Sequence, residues 1–414
     1  MTHAIHDFAA KLRGNRAQPM LVSYVQWRRA LKANAEGEQV TNQETNGSAP
    51  PIPGQAPISI NLDLTTACNY RCTHCIDWDV LNGREKFVDQ DLFDSLRAMR
   101  EHGLASVILI GGGEPTLHPL FEDVVRFIKR DLGLALAIVS NGSRPDRLTQ
   151  AAAEMTKGDW IRLSLDAGSN ELFRAMHRPN DPKLNLDTIC AAIPDMRAAG
   201  PLVTLGYSFV VTWEGASRDE ESILENVDEI VSAAERAKRA GFDYIGYKPV
   251  LGRAEDGAEV MDPSTMAAQV QAVAKRIRDE VNRARELEDE SFTVYESINL
   301  ALLEEGNWTE ATRQPRTCHM QALRQVLSPL GLYNCPAHRG VDKARIGPAN
   351  AWATPEDRAQ TRAATEGLLK TFDASVECAS VTCLYHSVNW WIEDLIANPD
   401  MPIPMDLEAG DPFL

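Results

Sequence analysis

From residue 58 onward, short apolar runs alternate with amphipathic segments. Six runs rich in Val, Ile and Leu predict strands at 59–65, 106–112, 134–140, 160–166, 203–212 and 244–250. Segments with apolar residues at helical spacing lie between them, and 89–103 and 118–133 are the clearest. Strands that alternate with helices are typical of parallel βα units, in which the strands are buried on both faces. The pattern therefore predicts an α/β fold, with functional residues where the strands end.

The segments on either side of this region have a different pattern. Residues 18–34 predict a short amphipathic helix, and residues 35–57 are polar and rich in Gly, Pro and Asn, as in a linker or a surface arm. Asp262 and Pro263 suit the first positions of a long helix that reaches about residue 290. Near the end, 324–329 and 332–335 predict a hairpin, and 384–398 predict a final helix. The predicted units are 1–57 (helix and linker), 58–260 (core), 261–290 (connecting helix) and 291–414 (a second, smaller module).

The charge balance excludes some classes of partner. The chain has 414 residues, with 42 Lys and Arg against 59 Asp and Glu, so its formal net charge is −17. An acidic surface repels phosphate backbones, which argues against nucleic acid. The longest apolar run, 132–139, is too short to cross a bilayer, and the first residues show no apolar signal segment. We therefore expect a cytoplasmic protein without a membrane partner.

Three of the eight cysteines lie close together after the first predicted strand. Cys68, Cys72 and Cys75 have the spacing Cys-x3-Cys-x2-Cys. Three thiolates on one tight loop can hold three irons of a four-iron cluster and leave the fourth iron open to a substrate or cofactor. A zinc site with His74 as the fourth ligand and three buried thiols are the alternatives.

Polar and glycine-rich motifs follow the next three predicted strands. Glycine lets the backbone approach a ligand closely, and a carboxylate beside it suits an ammonium group. Two residues of the last motif, Ser164 and Asp166, share one face of their strand and could reach sugar hydroxyls. An ordinary βα turn is the alternative for the glycines. The motif residues are Gly111, Gly112, Gly113 and Glu114, then Ser140 and Asn141, then Ser164 and Asp166.

Taken in order, CNYRCTHC, GGGEP, SNG and SLDAG resemble the motifs of the radical S-adenosylmethionine (radical SAM) superfamily. The resemblance covers about 58–250 and implies a partial (β/α)6 TIM-like barrel. It implies a 4Fe-4S cluster on the three cysteines, with S-adenosylmethionine on the open iron. The reaction implied is reductive cleavage of S-adenosylmethionine to a 5′-deoxyadenosyl radical, with an external electron donor such as flavodoxin or ferredoxin. Besides the motif residues above, it places His74 near adenine and Arg178 as a candidate for the carboxylate.

Four further cysteines lie in the last quarter of the chain: Cys318, Cys335, Cys378 and Cys383. After such a core they favour a second 4Fe-4S cluster, with structural zinc and unligated cysteines as alternatives. The segment resembles the Twitch form of the SPASM auxiliary module, an α+β hairpin followed by a helix, although the Cys378-x4-Cys383 gap is wider than the x2 of that family. Cys190 lies in an apolar helix and is read as core.

A fully ligated second cluster cannot bind substrate but can accept an electron, which favours a two-electron oxidation over a redox-neutral epimerisation or rearrangement. A small polar substrate, such as a sugar or aminocyclitol, is the first expectation. Peptide maturation and an electron-transfer protein without a substrate are the alternatives. Candidate catalytic residues are Tyr247, Lys248, Arg253 and Glu296, each of which could equally be a loop or interface residue.

Overall fold

The structure, a computed structural model, describes residues 7–35, 51–218, 221–253, 259–261 and 270–414. Its strands are β1 (Ser59–Leu62), β2 (Ser106–Leu109), β3 (Ala135–Ser140), β4 (Trp160–Ser164), β5 (Thr204–Val211), β6 (Ser217–Arg218), β7 (Glu221–Ser222), β8 (Tyr244–Pro249), β9 (Gly252–Arg253), β10 (Glu259–Val260), β11 (Thr293–Glu296), β12 (Arg324–Ser328), β13 (Gly331–Tyr333) and β14 (Arg345–Gly347).

The α-helices of the described residues connect and flank these strands. They are α1 (Phe8–Arg13), α2 (Gln18–Ala35), α3 (Asp89–Glu101), α4 (Phe121–Arg126), α5 (Pro145–Glu154), α6 (Asn170–His177), α7 (Leu186–Cys190), α8 (Ile193–Ala199), α9 (Ile230–Ala240), α10 (Val270–Arg285), α11 (Ile298–Glu305), α12 (Met320–Leu323), α13 (Pro355–Thr371), α14 (Ala374–Glu377) and α15 (His386–Ala397). The described helices include none that is both long enough and apolar enough to cross a membrane.

Ten strands form one sheet in the order β11-β8-β5-β4-β3-β2-β1-β12-β13-β14. All neighbours from β11 to β12 are parallel. The last two strands, β13 and β14, are antiparallel to their neighbours. Because consecutive parallel strands need crossovers, helices such as α3, α5 and α9 lie between them in the chain. The predicted α/β class with a parallel sheet is confirmed.

All six predicted strands are present, as β1 to β5 and β8. The predicted hairpin is also present, and β12 pairs with β13 across the Leu330–Gly331 turn. Two features were not predicted. Thr293–Glu296 forms a further parallel strand beside β8. In addition, β12 pairs in parallel with β1, so the central sheet continues past residue 291, and the domain boundary placed there stays a prediction.

The two faces of the sheet differ in burial. On β4, Ile161 and Leu163 are fully buried in the core beneath the helices, whereas Arg162 between them is half-buried. The same alternation occurs on β8, where Lys248 is half-buried beside buried Tyr247. Every residue of β1 and β2 is buried, as expected for parallel strands, so the alternation distinguishes β4 and β8 from them. The face that carries Arg162 and Lys248, called the open face below, therefore remains accessible to solvent.

The N-terminal helix packs against the C-terminal part of the chain. Leu21, Tyr24 and Val25 of α2 share an apolar cluster with Val388 and Ile392 of α15. The predicted helix at 18–34 is thus confirmed as α2. Most of the predicted linker and the predicted helix start at 262–263 lie outside the described residues.

Candidate functional site

The loop with the first three cysteines follows β1 and is fixed to the end of α6. Arg71 N–H donates to His177 O at 3.1 Å, and Thr73 N–H donates to Met176 O at 2.8 Å. Burial raises the pKa of Cys72 well above its usual value, and the neighbouring Cys75 and Cys68 raise it further. Burial also raises the pKa of Cys75 to about 12. The three sulfurs are therefore close enough to oppose one another's ionisation, as expected of groups that share a cationic ligand.

The glycine-rich turn after β2 lies directly against this loop. Gly111 and Gly112 have φ values of +73° and +61°, which glycine adopts readily. A Cβ on Gly113 would lie 2.4 Å from Ala67 O, so a side chain there would collide with the cysteine loop. Glu114 N–H also donates to Ala67 O, at 2.8 Å. Close backbone packing thus explains these glycines.

The Glu114 carboxylate connects the ends of β2 and β3. It accepts hydrogen bonds from the Ser140 hydroxyl at 2.8 Å and from Asn141 N–H at 2.7 Å. Burial raises its pKa, and these hydrogen bonds oppose that shift. The Asn141 amide in turn donates to Asn69 Oδ1, on the cysteine loop, at 2.9 Å. The structure therefore brings the predicted motif residues of β2 and β3 together with the cysteine loop.

Asp166 is the centre of a buried triad with two histidines. Its Oδ2 lies 3.0 Å from His74 Nε2 and 3.3 Å from His177 Nε2, and its Oδ1 accepts from Val210 N–H at 2.6 Å. Burial alone would raise the pKa of Asp166, but hydrogen bonds from His177 and His74 hold it well below the usual range. The other ring nitrogen of His177 lies 3.2 Å from Cys72 Sγ. Sequence reasoning missed His177, which contacts a cysteine 105 positions earlier.

Two of the predicted residues lie apart from this triad. Ser164 is half-buried on the open face. Arg178 ends α6 in a left-handed conformation with φ of 45°, and its side chain is exposed.

Comparison with known proteins identifies the region that contains these motifs. The sequence profile of the Radical SAM superfamily matches residues 62–227. Residues 62–227 are a radical SAM domain. This range contains the three cysteines, the glycine-rich turn and the Asp166 triad. Enzymes with this domain use a 4Fe-4S cluster and S-adenosylmethionine.

Relatives share the radical SAM domain but differ in their named activities. The chain is 38% identical over 109 residues to an S-adenosylmethionine-dependent nucleotide dehydratase of a Thermoplasmatales archaeon, covering 26% of this chain and 38% of that protein. It is 29% identical to the mycofactocin maturase MftC of Mycobacterium tuberculosis, covering 40% of this chain and 41% of that protein. The chain thus spans well under half of either relative.

A solved structure shows the same fold over more of the chain. The structure of anSMEcpe with bound S-adenosylmethionine (AdoMet) aligns with a TM-score of 0.53 and 16% identity, covering 83% of this chain and 97% of that chain. At this identity the likeness concerns the fold, which therefore extends beyond the radical SAM domain.

The residues around the cysteine loop suit these cofactors chemically. Three buried side-chain atoms on the loop have no hydrogen-bond partner among the described residues: Tyr70 OH, Thr73 Oγ1 and His74 Nδ1. Buried polar atoms are almost always satisfied, so a polar ligand is expected beside them. Among the described residues, no three cysteine sulfurs lie within 4.8 Å of one another. Sulfurs on one zinc ion, each about 2.3 Å from the metal, lie under about 4.6 Å apart, so the described cysteines do not form a closed three-sulfur zinc site.

The four C-terminal cysteines line one cavity of about 480 Å³. Burial raises the pKa of Cys378, and Cys318, Cys335 and Cys383 raise it further, so all four sulfurs face the same space. Asn389 places its side-chain amide 3.7 Å from Cys318 Sγ. The cavity wall also includes Arg324, a cation beside four potential thiolates.

A buried arginine links this cysteine cavity to the radical SAM domain. Arg339 follows Cys335 by four residues, and its side chain is 5% exposed. Its Nε lies 2.8 Å from Asp63 Oδ2, and its Nη1 lies 2.9 Å from Asp77 Oδ1. Asp63 follows β1, Asp77 follows Cys75 by two residues, and a Cβ on Gly111 would lie 2.6 Å from Arg339 Nη2. Arg339 therefore touches the glycine turn and both ends of the cysteine loop.

The structure separates the four predicted substrate residues. Tyr247 is buried on the helix side of β8, where its hydroxyl donates to Ile230 O at 2.7 Å, so it does not face the strand ends as expected. Lys248 lies on the open face. Burial lowers the pKa of His74, and the nearby Lys248 charge adds to that shift. Arg253 Nε donates to Ile76 O at 2.9 Å, beside the cysteine loop. Glu296 Oε2 pairs with Arg285 at 2.5 Å, whereas its Oε1 is buried without a hydrogen-bond partner among the described residues.

Glu304, a neighbour of Glu296, gives a test of electrostatics in this region. Burial and the Glu296 charge raise the pKa of Glu304 to about 7. An unfolded glutamate titrates near pH 4.3, so ionisation of Glu304 destabilises the folded state increasingly as pH rises from about 4.3 to about 7. We expect Glu304→Gln to raise the free energy of unfolding by about 1–2 kcal/mol at pH 8, with little change at pH 5. Urea unfolding at both pH values measures this, with exposed Glu305→Gln as control, and equal effects at the two pH values would contradict it.

Proposed function

We propose that the protein is a radical SAM enzyme that oxidises a small polar substrate by two electrons. In this proposal Cys68, Cys72 and Cys75 hold the first cluster, and a second four-iron cluster lies on the C-terminal cysteines. The observation that supports it most is the buried cysteine loop packed against the Gly111–Glu114 turn and fixed to the end of α6. When bound, the cluster and S-adenosylmethionine supply a 5′-deoxyadenosyl radical that takes a hydrogen atom from the substrate.

The residues of the chain bind and orient the cofactor. The glycine turn exposes backbone groups next to the Glu114 carboxylate, which suits the amino group of S-adenosylmethionine. His74 directs Nε2 to Asp166 and leaves Nδ1 without a partner among the described residues, so this nitrogen can accept or donate to the adenine end. Ser164 offers a hydroxyl on the open face. Burial of the whole triad excludes water from the reacting groups.

In this proposal a second cluster accepts the electron that the substrate radical releases during the oxidation. The substrate loses a hydrogen atom first, and then one electron and one proton. The cavity with four facing cysteines supports an electron acceptor at that point. Four ligands leave no open position, so the substrate would bind elsewhere, on the open face of the sheet.

Metal content tests the second cluster. Anaerobically reconstituted protein is expected to bind about eight irons, and Cys378→Ala/Cys383→Ala about four. Cys190→Ala is the matched control, because Cys190 lies on α7 away from both cysteine sets, and it should retain about eight. About four irons in wild type together with one zinc would contradict the second cluster and leave single-cluster chemistry.

A peptide substrate is the second candidate, favoured by the similarity to the mycofactocin maturase. The same reconstituted protein can be assayed with S-adenosylmethionine alone, with sugar and sugar phosphate mixtures and with peptide mixtures. Increased 5′-deoxyadenosine with one class identifies the substrate class. No 5′-deoxyadenosine under any condition would contradict enzyme activity and favour an electron-transfer role.

A further inference from the structure

The open face of the sheet carries an arginine whose guanidinium has no anionic partner. Arg162 lies on β4 between two fully buried residues that face the helices, so its own side chain faces the other way. Among the described residues, its guanidinium has neither a carboxylate within ion-pair distance nor a hydrogen-bond acceptor, and its Nε is buried. Its guanidinium carbon lies 5.3 Å from the centre of the Trp160 ring. Buried cationic nitrogens are normally paired, so this one is expected to meet an anion.

The strand register builds a site around Arg162. Arg162 pairs with Gly206 on β5, and Gly206 pairs with Tyr244 on β8, so the three residues form one row across the sheet. A Cβ on Gly206 would lie 2.1 Å from the Tyr244 ring, which shows that this ring lies across the glycine towards Arg162. Burial raises the pKa of Tyr244, and the nearby Arg162 charge partly opposes that shift. The row thus offers a guanidinium and a phenol to one ligand group.

The next row towards the strand ends contains small residues. It consists of Ser164, Ser208 and Gly246 in register. The side chains of this row are short, and two of them carry hydroxyl groups. Lys248, one further step along β8, adds a second cation on the same face. At the opposite end, Phe413 packs on Trp160 at 5.6 Å, so a ligand would enter from the side of the cysteine loop.

The nearby carboxylates already have partners. Asp63 pairs with Arg339 at 2.8 Å, and Asp166 accepts from His74 and Val210. In a chain of net charge −17, an arginine left without a carboxylate is a specific feature of this face. We infer that Arg162 binds an anionic group, phosphate or carboxylate, of the substrate. This inference rests on the proposed function and narrows its substrate class. Acidic substrates such as sugar phosphates, nucleotides or carboxylic acids fit the site, and a basic aminocyclitol does not.

Matched neutral and anionic probes test this inference. Binding to the reconstituted protein with S-adenosylmethionine is measured by calorimetry for glycerol against glycerol 3-phosphate and for propionamide against propionate. We expect one anionic member to bind about 10-fold to 100-fold more tightly than its neutral partner, and the pair that discriminates identifies the source of the anion. Arg162→Gln should remove the discrimination and Arg162→Lys should keep part of it. Exposed Arg97→Gln is the control.

Different experimental results would contradict the anion site and the proposed function. The control Arg97→Gln should form 5′-deoxyadenosine from S-adenosylmethionine at the wild-type rate, because this exposed arginine lies on α3 and belongs to neither proposed site. Equal binding of neutral and anionic members in wild type, or retained discrimination in Arg162→Gln, would overturn the anion site while leaving the radical SAM activity intact. Absence of 5′-deoxyadenosine from wild type would instead overturn the proposed function.

Discussion

Cys68→Ala/Cys72→Ala/Cys75→Ala protein, reconstituted anaerobically, is expected to retain about four irons and to form no 5′-deoxyadenosine. The three half-buried cysteines are the proposed ligands of the cluster that reduces S-adenosylmethionine, and no other described cysteine lies on this loop. The remaining irons belong to the C-terminal cavity, whose four cysteines are unchanged. Iron and sulfide analysis with electron paramagnetic resonance measures the retained cluster, and product chromatography measures 5′-deoxyadenosine.

The loss should be specific to the cluster. The substituted protein should keep its helical circular dichroism, because the loop is also held by backbone hydrogen bonds to α6. His118→Ala is a matched control: this histidine is outside the cysteine loop and should leave iron content and product formation near wild type. Retained 5′-deoxyadenosine in the triple variant would show that the cluster lies elsewhere.

Arg339→Met is expected to lower the free energy of unfolding by about 3–5 kcal/mol and to weaken S-adenosylmethionine binding. The substitution leaves the carboxylates of Asp63 and Asp77, which are 1% and 10% exposed, without the guanidinium that faces both. Removing one partner of a buried salt-bridge network lowers the free energy of unfolding by more than the intact network adds to it. The reason is that the remaining charges stay buried without a partner. Urea unfolding and calorimetric titration with S-adenosylmethionine measure the two effects.

Additional substitutions distinguish loss of the Arg339 ion pairs from a general packing defect as the cause of the lower stability. Adding Asp63→Asn to Arg339→Met removes one of the unpaired charges and should recover part of the lost stability. Arg97→Met, on an arginine that is 49% exposed, should change stability by under about 0.5 kcal/mol. Equal stability of Arg339→Met and wild type would show that the two carboxylates are compensated by another cation, for which Arg253, 3.8 Å from Asp77, is the candidate.

Local pattern was sufficient to predict the strands and the cysteine loop. The six βα strands, the hairpin and the motifs at the ends of β2, β3 and β4 each depend on a few neighbouring residues. The burial of Tyr247 was not predicted, because which face of β8 points to the helices depends on the packing of α9. The sequence around Arg162 does contain a pattern that indicates which face of β4 it occupies. It alternates with Ile161 and Leu163, so a polar residue at that place must face away from the core.

Contacts between distant segments could not be predicted. Arg339 meets Asp77 across 262 positions, and His177 meets Cys72 across 105. Each depends on the relative placement of two elements, which no local pattern specifies. His74 and Asp166 were both predicted to contact the cofactor, but their hydrogen bond to each other appears only once β4 and the cysteine loop are placed in space.

The pairing of β1 with β12 constrains how the chain can be made or divided. Each of the four residues of β1 faces a partner some 265 positions later, as Ser59 faces Arg324. On a ribosome, a nascent chain that has completed the radical SAM domain still exposes one side of β1 as an unpaired edge, and such edges promote aggregation. A fragment that ends near residue 260 would keep that edge permanently. Gene fusions, split forms and truncations of this protein should therefore keep residues 324–328 on the same chain as β1.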